Sequence, residues 1–507
     1  MAPVSKTFST IIRKPYVWAF STYFAEGFPY TIIRTLSSVF FRDRGMSLEA
    51  IGITSVFGLP WVLKFLWGPL VDTFGTKKRW MLVNQGLLCA LFFTVALMAP
   101  LKNAVELIAG IFFFASFVAA THDIAIDGYY LEALDSDGQA MYVGYRVMAY
   151  RIAMMAGTGV IATVGTMYNW FVGFLLAAAV LACLFFFHLS TLADCGPRGP
   201  SIFKPSLLFI RKNLLRISIC ALLIVLIRGC TQSDYFQTLQ NSLPVLEKIT
   251  LPALIGLALF LTLIILWFMR NRIRAKIYNN PDSFYSQSFL SFMDRERIGV
   301  ILAFIIFIRA GEYMLSAMYS PFIVDIGLKH HYGWISAGVG LPCSIVGAMA
   351  GGFLISRYSL KKMIWPFLLL QNFTNLIYMG LAWSLSFYIT ANTGNDAPIP
   401  LTHMKMFSVV ATHGFDQFSG GLGTAVLMTF LMRICLKKFT ASHYAIGTGL
   451  MSVSGLYAGV LSGFLTSWVG YSWFFGISFL MSVPGMLLIF WLPLFDKSKD
   501  IPNEVNV

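Results

Sequence analysis

The sequence predicts an all-helical protein that crosses a membrane many times. Of its 507 residues, 57% are hydrophobic and only 12% are charged, and the mean hydropathy is +0.72. Apolar runs of about 20 residues recur along the whole chain, and one helix of that length spans a hydrocarbon core. Basic residues cluster in alternate loops, as expected for loops on the inner side of a membrane. These observations indicate one polytopic helical bundle rather than several soluble domains.

The net charge of +14 follows from the same organisation. The basic clusters lie at 77–79, 270–276, 357–362 and 433–438. All of them fall in loops that the order of spans places inside the membrane-bounded compartment. The charge therefore reports topology, and we expect a lipid bilayer around the chain and no nucleic-acid partner.

The first half of the chain contains six predicted spans. The apolar run that starts near Tyr16 continues past Ile33 without a convincing cleavage site, so we interpret it as a span and not as a signal peptide. The six spans are 16–40, 51–71, 80–99, 104–131, 140–167 and 170–190.

Two further spans are predicted between the halves. The run 251–269 is clearly long enough, whereas 217–235 is weaker because it carries Arg228 and Asp234. The basic stretches before and after this region both favour the inside, so an even number of crossings must separate them. We therefore predict that both segments cross, and we expect Arg228 and Asp234 to satisfy each other.

The second half contains six more spans, which brings the prediction to fourteen with both termini on the cytoplasmic side. These spans are 298–325, 332–356, 363–388, 404–432, 442–467 and 473–493. We divide the chain into a first six-helix half (1–196), an inserted helix pair with its linkers (197–290) and a second six-helix half (291–507).

The two halves look like repeats. "GLPWVLKFLWGPLVDTFGTKKRW" from Gly58 parallels "GLPCSIVGAMAGGFLISRYSLKKMIW" from Gly340. Each stretch begins with Gly-Leu-Pro and ends in a Lys-Lys loop, and each follows a span that carries an acid, Glu26 or Glu312. A six-plus-six arrangement of parallel repeats is typical of transporters.

At "GPLVDTFGTKKRW" the chain resembles the major facilitator superfamily. The loop after the second helix of that family carries a Gly-x-x-x-Asp-x-x-Gly-x-basic-basic pattern. We assign it to a gating loop formed by Gly68, Asp72, Gly75, Lys77 and Lys78. Within the superfamily, "KFLWGPLVD" (64–72), "HDIAIDGYYLEAL" (122–134), "YRIAMMAGTG" (150–159) and "GGLGTAVLMTFLMRICLKKFTASHYA" (420–445) resemble the AmpG muropeptide permease group, which includes acetyl-CoA transporters.

The resemblance implies a bacterial inner-membrane protein that works by alternating access. It also implies proton-driven uptake of anhydro-muropeptides, as in cell-wall recycling. The chain differs from that group in the position of the extra helix pair and in Glu26, which stands where the group has a small polar residue.

Four acids inside predicted spans are candidates for proton coupling: Asp123, Asp127, Glu26 and Glu312. Ionisable residues are expensive in a bilayer and usually serve function. Asp123 and Asp127 are four residues apart and share one helix face, where two nearby acids favour binding and release of a proton near neutral pH. The alternative for Asp127 is structural, as a partner of the basic residues at 77–79.

The candidates for substrate binding are Arg34, Lys64, Arg151, Arg309 and Tyr30. An arginine offers a planar guanidinium that suits a peptide or lactyl carboxylate. Glu26 and Arg34 share a face of the first helix, in which Gly27 and Pro29 should produce a kink. The alternative for Glu26 and Arg34, and equally for Arg309 with Glu312 three residues on, is an internal ion pair. Arg146 is expected to anchor a loop.

The remaining polar residues carry weaker expectations. We place Asp416 at the start of the tenth core helix, outside the hydrocarbon, and interpret His122 as a packed ring. The seven cysteines are scattered without a CxxC pair, so no metal or cofactor is expected. We also expect a monomer that handles a small-molecule substrate and protons.

Three classes of function remain open at this point. A secondary transporter is favoured because acids and bases occur in the spans of both halves and no phosphate-binding GxxxxGK[ST] loop is present. Its substrate would be a muropeptide or, alternatively, acetyl-CoA or another anionic metabolite. A membrane-embedded transferase would want a catalytic His/Asp cluster, for which His122 and Asp123 are the sole hint. A sensor or scaffold would not need charges in both halves.

Overall fold

The structure is a computed structural model that describes most of the two predicted halves. The described residues are 14–64, 67–68, 71, 74–134, 136–194, 284–393, 398–434 and 440–492, with a few single positions between 257 and 275. Within these residues every regular element is a helix. The two spans predicted at 217–235 and 251–269, with Arg228 and Asp234, lie largely outside the described part of the chain.

Helical segments lie within each of the six predicted spans of the first half, although parts of the second span, 51–71, lie outside the described residues. The first contains α1 (Pro15–Thr31), a π-helical turn (Ile32–Leu36) and α2 (Ser37–Asp43). The second contains α3 (Leu48–Ile53), a 3-10 turn (Thr54–Gly58) and α4 (Leu59–Leu63). The others are α5 (Lys77–Met98), α6 (Val105–Ala133), α7 (Ser136–Met155) with a π-helical turn (Ala156–Ile161) and α8 (Ala162–Met167), and α9 (Trp170–Thr191).

The second half repeats this arrangement after a short helix, α10 (Phe284–Met293). Its seventh core span is split into α11 (Ile298–Phe307) and α12 (Ala310–Asp325). The next elements are a π-helical turn (Trp334–Gly340), α13 (Leu341–Tyr358), α14 (Leu360–Ser384), α15 (Ser386–Asn392) and α16 (His403–Arg433). The last two spans form α17 (Thr440–Leu488), which breaks at Gly470 because that residue has a φ of 73°.

Seven helical stretches of the described residues are long and apolar enough to cross a membrane. They are Lys77–Met98, Val105–Ala133, Tyr145–Met167, Trp170–Thr191, Ile298–Asp325, Lys329–Tyr358 and Ile446–Trp491. Large apolar side chains such as Phe114, Phe353 and Phe407 are more than half exposed on the helix surfaces. An apolar exterior of this kind suits contact with lipid, and the chain is therefore a multi-pass membrane protein.

The described helices pack into two compact units, each with its own apolar core. Unit 1 is drawn from Met1–Leu36, Leu63–Gly157 and Tyr168–Ile265, and unit 2 from Ser37–Val62, Thr158–Met167 and Leu266–Val507. In unit 1 the core includes Trp18, Met81 and Tyr129. In unit 2 it includes Phe304 and Phe430.

Unit 2 thus takes in two pieces of chain from the first half, Ser37–Val62 and Thr158–Met167. Glycines bring α3 close to α17, because a Cβ placed on Gly52 would lie 2.9 Å from the Cα of Gly463. Arg42, on α2, donates to Asp325 at the end of α12, with Nε to Oδ1 at 2.6 Å. The hydroxyl of Tyr471 donates to the other oxygen of Asp325 at 2.7 Å. Close packing and an ion pair therefore hold the piece Ser37–Val62 to the helices of the second half.

Candidate functional site

The centre of unit 1 contains an ion pair between two helical segments. Asp123 lies in the second half of α6 and is 6% exposed. Lys64, which follows α4, donates a hydrogen bond to its Oδ2. One turn away from this pair, the indole of Trp67 donates to the hydroxyl of Thr121 at 3.1 Å. Lys64 therefore compensates the charge of Asp123, which an apolar interior would otherwise penalise.

Glu26 adds a second carboxyl group to this pair. It lies on α1 beside Asp123, within direct electrostatic reach of both Asp123 and Asp127. Its Oε2 atom is buried and makes no hydrogen bond to any other described residue. Lys64 hydrogen-bonds Asp123 and not Glu26, so the two neighbouring carboxyl groups share one close cation.

Asp127 has different partners from those of Asp123. Its Oδ1 accepts hydrogen bonds from the hydroxyl of Tyr23 at 2.7 Å and from Nη2 of Arg146 at 2.8 Å. The guanidinium of Arg146 also lies over the rings of Tyr23 and Tyr130, at 4.1 and 4.5 Å from their centroids. The structural alternative for Asp127 was an ion pair with the basic residues at 77–79. The structure gives it Arg146, from α7, as its ion-pair partner instead.

Three of the gating-loop residues, Gly75, Lys77 and Lys78, lie at the start of α5. Gly75 has a φ of 67°, which favours glycine, and Thr76 caps the helix by accepting from the backbone N–H of Arg79 at 3.3 Å. Lys77 is buried and donates to the carbonyl of Val71 at 3.0 Å, and Lys78 donates to the carbonyl of Leu192 at 2.5 Å. Both lysines thus fix backbone segments at one end of unit 1. A Cβ placed on Gly68 would have no atom of another described residue within 4 Å, and Asp72 lies outside the described residues.

The first helix changes from α-helical to π-helical geometry shortly after Gly27 and Pro29. Pro29 lacks a backbone N–H, and the π-helical turn Ile32–Leu36 follows it and carries Arg34. Gly27 allows Tyr150 to approach, because a Cβ there would lie 3.0 Å from its ring. The ring of Tyr30 lies 6.1 Å from that of Tyr150.

Arg151 follows Tyr150 on α7 and is partly buried. Its guanidinium interacts electrostatically with the neighbouring Tyr150, but it forms no hydrogen bond or ion pair with any other described residue. This distinguishes it from Lys64, Arg146 and Arg309, each of which pairs with an acid. This difference could not be predicted from the sequence, because it depends on which acids lie nearby in space.

In unit 2, Arg309 and Glu312 form the ion pair that their spacing suggests. Arg309 lies at the break between α11 and α12, and its Nε donates to Oε2 of Glu312 at 2.6 Å while Nη2 donates to Oε1. The amide of Gln371, on α14, also donates to Glu312. The two side chains are 12% and 18% exposed. The carboxylate is therefore fully engaged with groups of its own unit.

Asp416 is a site residue that the sequence reasoning placed wrongly. It lies in the middle of α16 rather than at its start, and it is 7% exposed. Its Oδ1 lies 2.8 Å from the hydroxyl of Thr374, and its Oδ2 accepts from the side-chain amide of Gln417 at 3.2 Å. One turn earlier, the ring of His413 stacks on that of Tyr319 with centroids 4.1 Å apart. The position of Asp416 within the predicted span 404–432 was the available signal.

Two histidines of unit 1 are buried. His122 is 1% exposed, and its Nε2 makes no hydrogen bond to another described residue. His188 lies between Gln85 and Ser21, at 2.9 and 3.0 Å. In the described part of the chain, no group of three or more His, Cys, Asp or Glu side chains is arranged to hold a metal ion.

Comparisons with known proteins extend the sequence resemblance. A family model described as "Major Facilitator Superfamily" matches residues 19–249. An anhydromuropeptide permease of Escherichia coli K12 is 23% identical over 92% of this chain and 77% of its own length. A putative transporter of Rickettsia felis, AmpG 4, is 24% identical over 92% of this chain and 94% of its own length.

Solved structures agree on the fold. A peptide transporter of the POT type, solved with sulfate, superposes with a TM-score of 0.61 at 16% identity, covering 93% of this chain and 92% of the other. The nucleoside transporter NupG superposes with a TM-score of 0.56 at 13% identity, covering 94% and 98%. These relatives are transporters and not enzymes. The chain is therefore a secondary transporter with the major facilitator fold, similar in sequence to the AmpG permeases.

Proposed function

We propose that this protein is a proton-coupled importer of anhydro-muropeptides that works by alternating access in the bacterial inner membrane. The likeness to an anhydromuropeptide permease supports this substrate class. The observation that carries the proposal is the site in unit 1, where Glu26 and Asp123 lie side by side with one close cation, Lys64.

The proton-binding part of this proposal follows from charge. Two adjacent carboxylates in a poorly solvated site repel each other, and Lys64 can neutralise one of them. The other is then stable as a protonated acid, and the buried Oε2 of Glu26 is not held by any hydrogen bond within the described residues. We assign proton coupling to Glu26 and Asp123 as a pair, with Asp127 and its partner Arg146 next to them.

The substrate-binding part rests on Arg151. An arginine in a membrane-spanning helix is costly, and Lys64 and Arg146 in the same unit each pair with an acid. Arg151 has no such acid among the described residues. A carboxylate of the substrate would supply the missing partner through two parallel hydrogen bonds. The rings of Tyr30 and Tyr150 beside it offer apolar surface to the same ligand.

Transport requires that the proton and the substrate both favour one conformation over the other. Each proton that moves inward down a potential of 100 mV supplies about 2.3 kcal/mol. We further propose that the gating loop, with Lys77 and Lys78, is on the cytoplasmic side with both chain termini, and that the protein acts as a monomer. The three-part division at 196 and 290 belongs to the same proposal.

A second substrate class also fits Arg151. A guanidinium binds a phosphate oxygen pair as readily as a carboxylate. Acetyl-CoA or another anionic metabolite is therefore the alternative substrate, moved by proton coupling or by exchange.

The deciding experiment is uptake of labelled anhydro-disaccharide-peptide into cells that lack their own permease, with and without a protonophore. Uptake that the protonophore abolishes supports both parts of the proposal. Uptake that persists unchanged with the protonophore contradicts proton coupling. No uptake, with the protein shown to be in the membrane, contradicts the muropeptide and makes labelled acetyl-CoA the next substrate to test.

A further inference from the structure

We propose that Asp416 is a second proton-binding site, in unit 2, and that it holds a proton on Oδ1 in the conformation described here. This inference extends the proposed proton-coupled transport, but its test needs no substrate. In the repeat between the halves, α16 corresponds to α6, so Asp416 lies in the span that matches the one carrying Asp123.

The hydroxyl group of Thr374 has one proton but lies within hydrogen-bond distance of two oxygen atoms. Its Oγ1 lies 2.7 Å from the backbone carbonyl oxygen of Gln371 and 2.8 Å from Oδ1 of Asp416. A hydroxyl group has a single proton to donate, so it can satisfy only one of these two oxygens. The other contact would bring two lone pairs together unless Asp416 is the donor. The geometry is satisfied when Asp416 donates to Thr374 and Thr374 donates to the carbonyl of Gln371.

The other oxygen of Asp416 is consistent with this arrangement. Oδ2 accepts from the side-chain amide of Gln417 at 3.2 Å, as the carbonyl oxygen of a neutral acid would. Every polar atom of a protonated Asp416 therefore has a partner. An ionised carboxylate in the same place would have only two neutral hydrogen-bond donors, Thr374 and Gln417. The carbonyl oxygen of Gln371 would compete with it for the proton of Thr374.

The described residues around Asp416 provide no positive charge that would compensate an ionised carboxylate. Asp416 forms no ion pair with any other described residue. The nearest charged neighbour that acts on it is Glu312, an acid that opposes a second negative charge. The arginine that could help, Arg309, already donates two hydrogen bonds to Glu312. A buried, unpaired carboxylate in a membrane protein costs several kcal/mol, whereas the neutral acid does not carry that cost.

The other titratable groups around Asp416 do not replace a cation. The elements that pack against α16 are α13 with the turn before it, α14 and α17, and α12 contributes Glu312. Apart from groups at helix ends, their titratable side chains are Glu312, Tyr313 and Tyr319 on α12, Cys343 on α13, Tyr378 on α14, His413 on α16, and Tyr457 and Tyr471 on α17. His413 stacks on Tyr319, and its Nδ1 lies 3.2 Å from the hydroxyl of Tyr378.

Release of this proton needs a change in the surroundings of Asp416. The carboxylic acid would lose its proton to water when water or a cation reaches the middle of α16. Arg309 is a candidate for this cation, because its partner Glu312 already acts electrostatically on Asp416. Unit 2 would then bind and release a proton in step with its own conformational change, separately from Glu26 and Asp123 in unit 1.

Infrared spectroscopy of the purified full-length protein in lipid nanodiscs tests the proposal. A protonated carboxylic acid has a C=O stretching band that shifts in D₂O, and Asp416→Asn should remove one such band at neutral pH. The amide of Asn can donate to Thr374 just as the protonated acid does, so the thermal midpoint of unfolding should remain that of the wild type. Glu26→Gln is the matched carboxyl-to-amide control, and it should leave the Asp416 band in place.

A second variant keeps the test decisive if Asp416→Asn does not fold. Thr374→Val removes the oxygen that accepts the proton, so the Asp416 band should move to higher frequency without disappearing. A spectrum of Asp416→Asn identical to that of the wild type would show that Asp416 is ionised and would overturn the inference. So would an unmoved band in Thr374→Val. The uptake assay can fail without affecting either result, so the two proposals fail separately.

Discussion

In unit 1 the acids of α6 reach cations on other segments, whereas in unit 2 Glu312 pairs with an arginine three residues away. Asp123 depends on Lys64 and Asp127 depends on Arg146, so each ion pair joins two helical segments. Arg309 and Glu312 are three residues apart, so their ion pair does not depend on the position of a second helix. Charges that join segments are sensitive to conformation, so the acids of α6 are better placed than Glu312 to couple a proton to movement.

The two units also differ in what remains unpaired. Unit 1 leaves Glu26 and Arg151 without an ion-pair partner among the described residues. Unit 2 leaves Asp416, whose neighbours are a hydroxyl and an amide. An unpaired arginine calls for an anion, while an acid bonded to neutral groups calls only for a proton. This difference supports the proposal that the substrate binds in unit 1.

The largest expected effect is that of Asp123→Asn. The amide cannot carry the negative charge that holds Lys64, and it cannot take part in the proton exchange with Glu26. Uphill uptake should be abolished, whereas exchange of substrate across the membrane should remain. Counterflow and uptake assays in the same vesicles measure the two activities. Glu106→Gln, at the start of the same helix, is the control, and uphill uptake by Asp123→Asn at the wild-type rate would refute the role of Asp123.

Arg309→Ala should cause the largest loss of stability. Removing one partner of a buried ion pair leaves an uncompensated charge and costs about 3–5 kcal/mol. The double variant Arg309→Ala/Glu312→Ala should recover much of this loss, because it leaves no buried charge behind. The measurement is the unfolding of the three variants and the wild type in the same detergent. Arg357→Ala, at the end of α13, should change stability by about 0.5 kcal/mol or less.

A double variant no more stable than Arg309→Ala would contradict the view that this pair is self-contained. Glu312 would then have a role beyond compensating Arg309, and the contrast between the two units would weaken.

A smaller effect is expected for Arg151→Lys. The positive charge remains, but the pair of parallel N–H donors is lost. Hydrogen bonds to charged groups contribute about 1.5–3 kcal/mol, so KM should rise at least about tenfold with little change in stability. Uptake as a function of substrate concentration measures KM. The control is Arg357→Lys, and an unchanged KM in Arg151→Lys would remove Arg151 from the substrate site.

Much of the fold could be predicted because lipid imposes a simple rule on sequence. The span expected at 80–99 is the helix Lys77–Met98, and that expected at 170–190 is Trp170–Thr191. Long apolar runs must form helices in a bilayer, since the backbone has no other partner for its hydrogen bonds. The spacing of Arg309 and Glu312 likewise predicted their contact, because residues three apart lie on the same helix face.

Partners from distant parts of the chain could not be predicted in this way. The sequence suggested that Asp127 could form an ion pair with the basic residues at 77–79. It pairs instead with Arg146, because α6 and α7 bring these side chains together. Asp416 was placed at a helix start because polar residues precede it. Those residues are satisfied inside the unit, where His413 stacks on Tyr319 and Thr374 meets Asp416. Sequence shows the cost of such groups but not the neighbours that offset it.

Three π-helical turns, at Ile32–Leu36, Ala156–Ile161 and Trp334–Gly340, have a consequence for evolution of the family. A π-helical turn accommodates one residue more than an α-helical turn without opening a loop. Relatives at 23–24% identity can therefore gain or lose single residues inside these spans and keep the ends of each helix in place. A gain or loss of one residue at such a turn would change which side chains of the span face the interior while the ends of the helix stay in place.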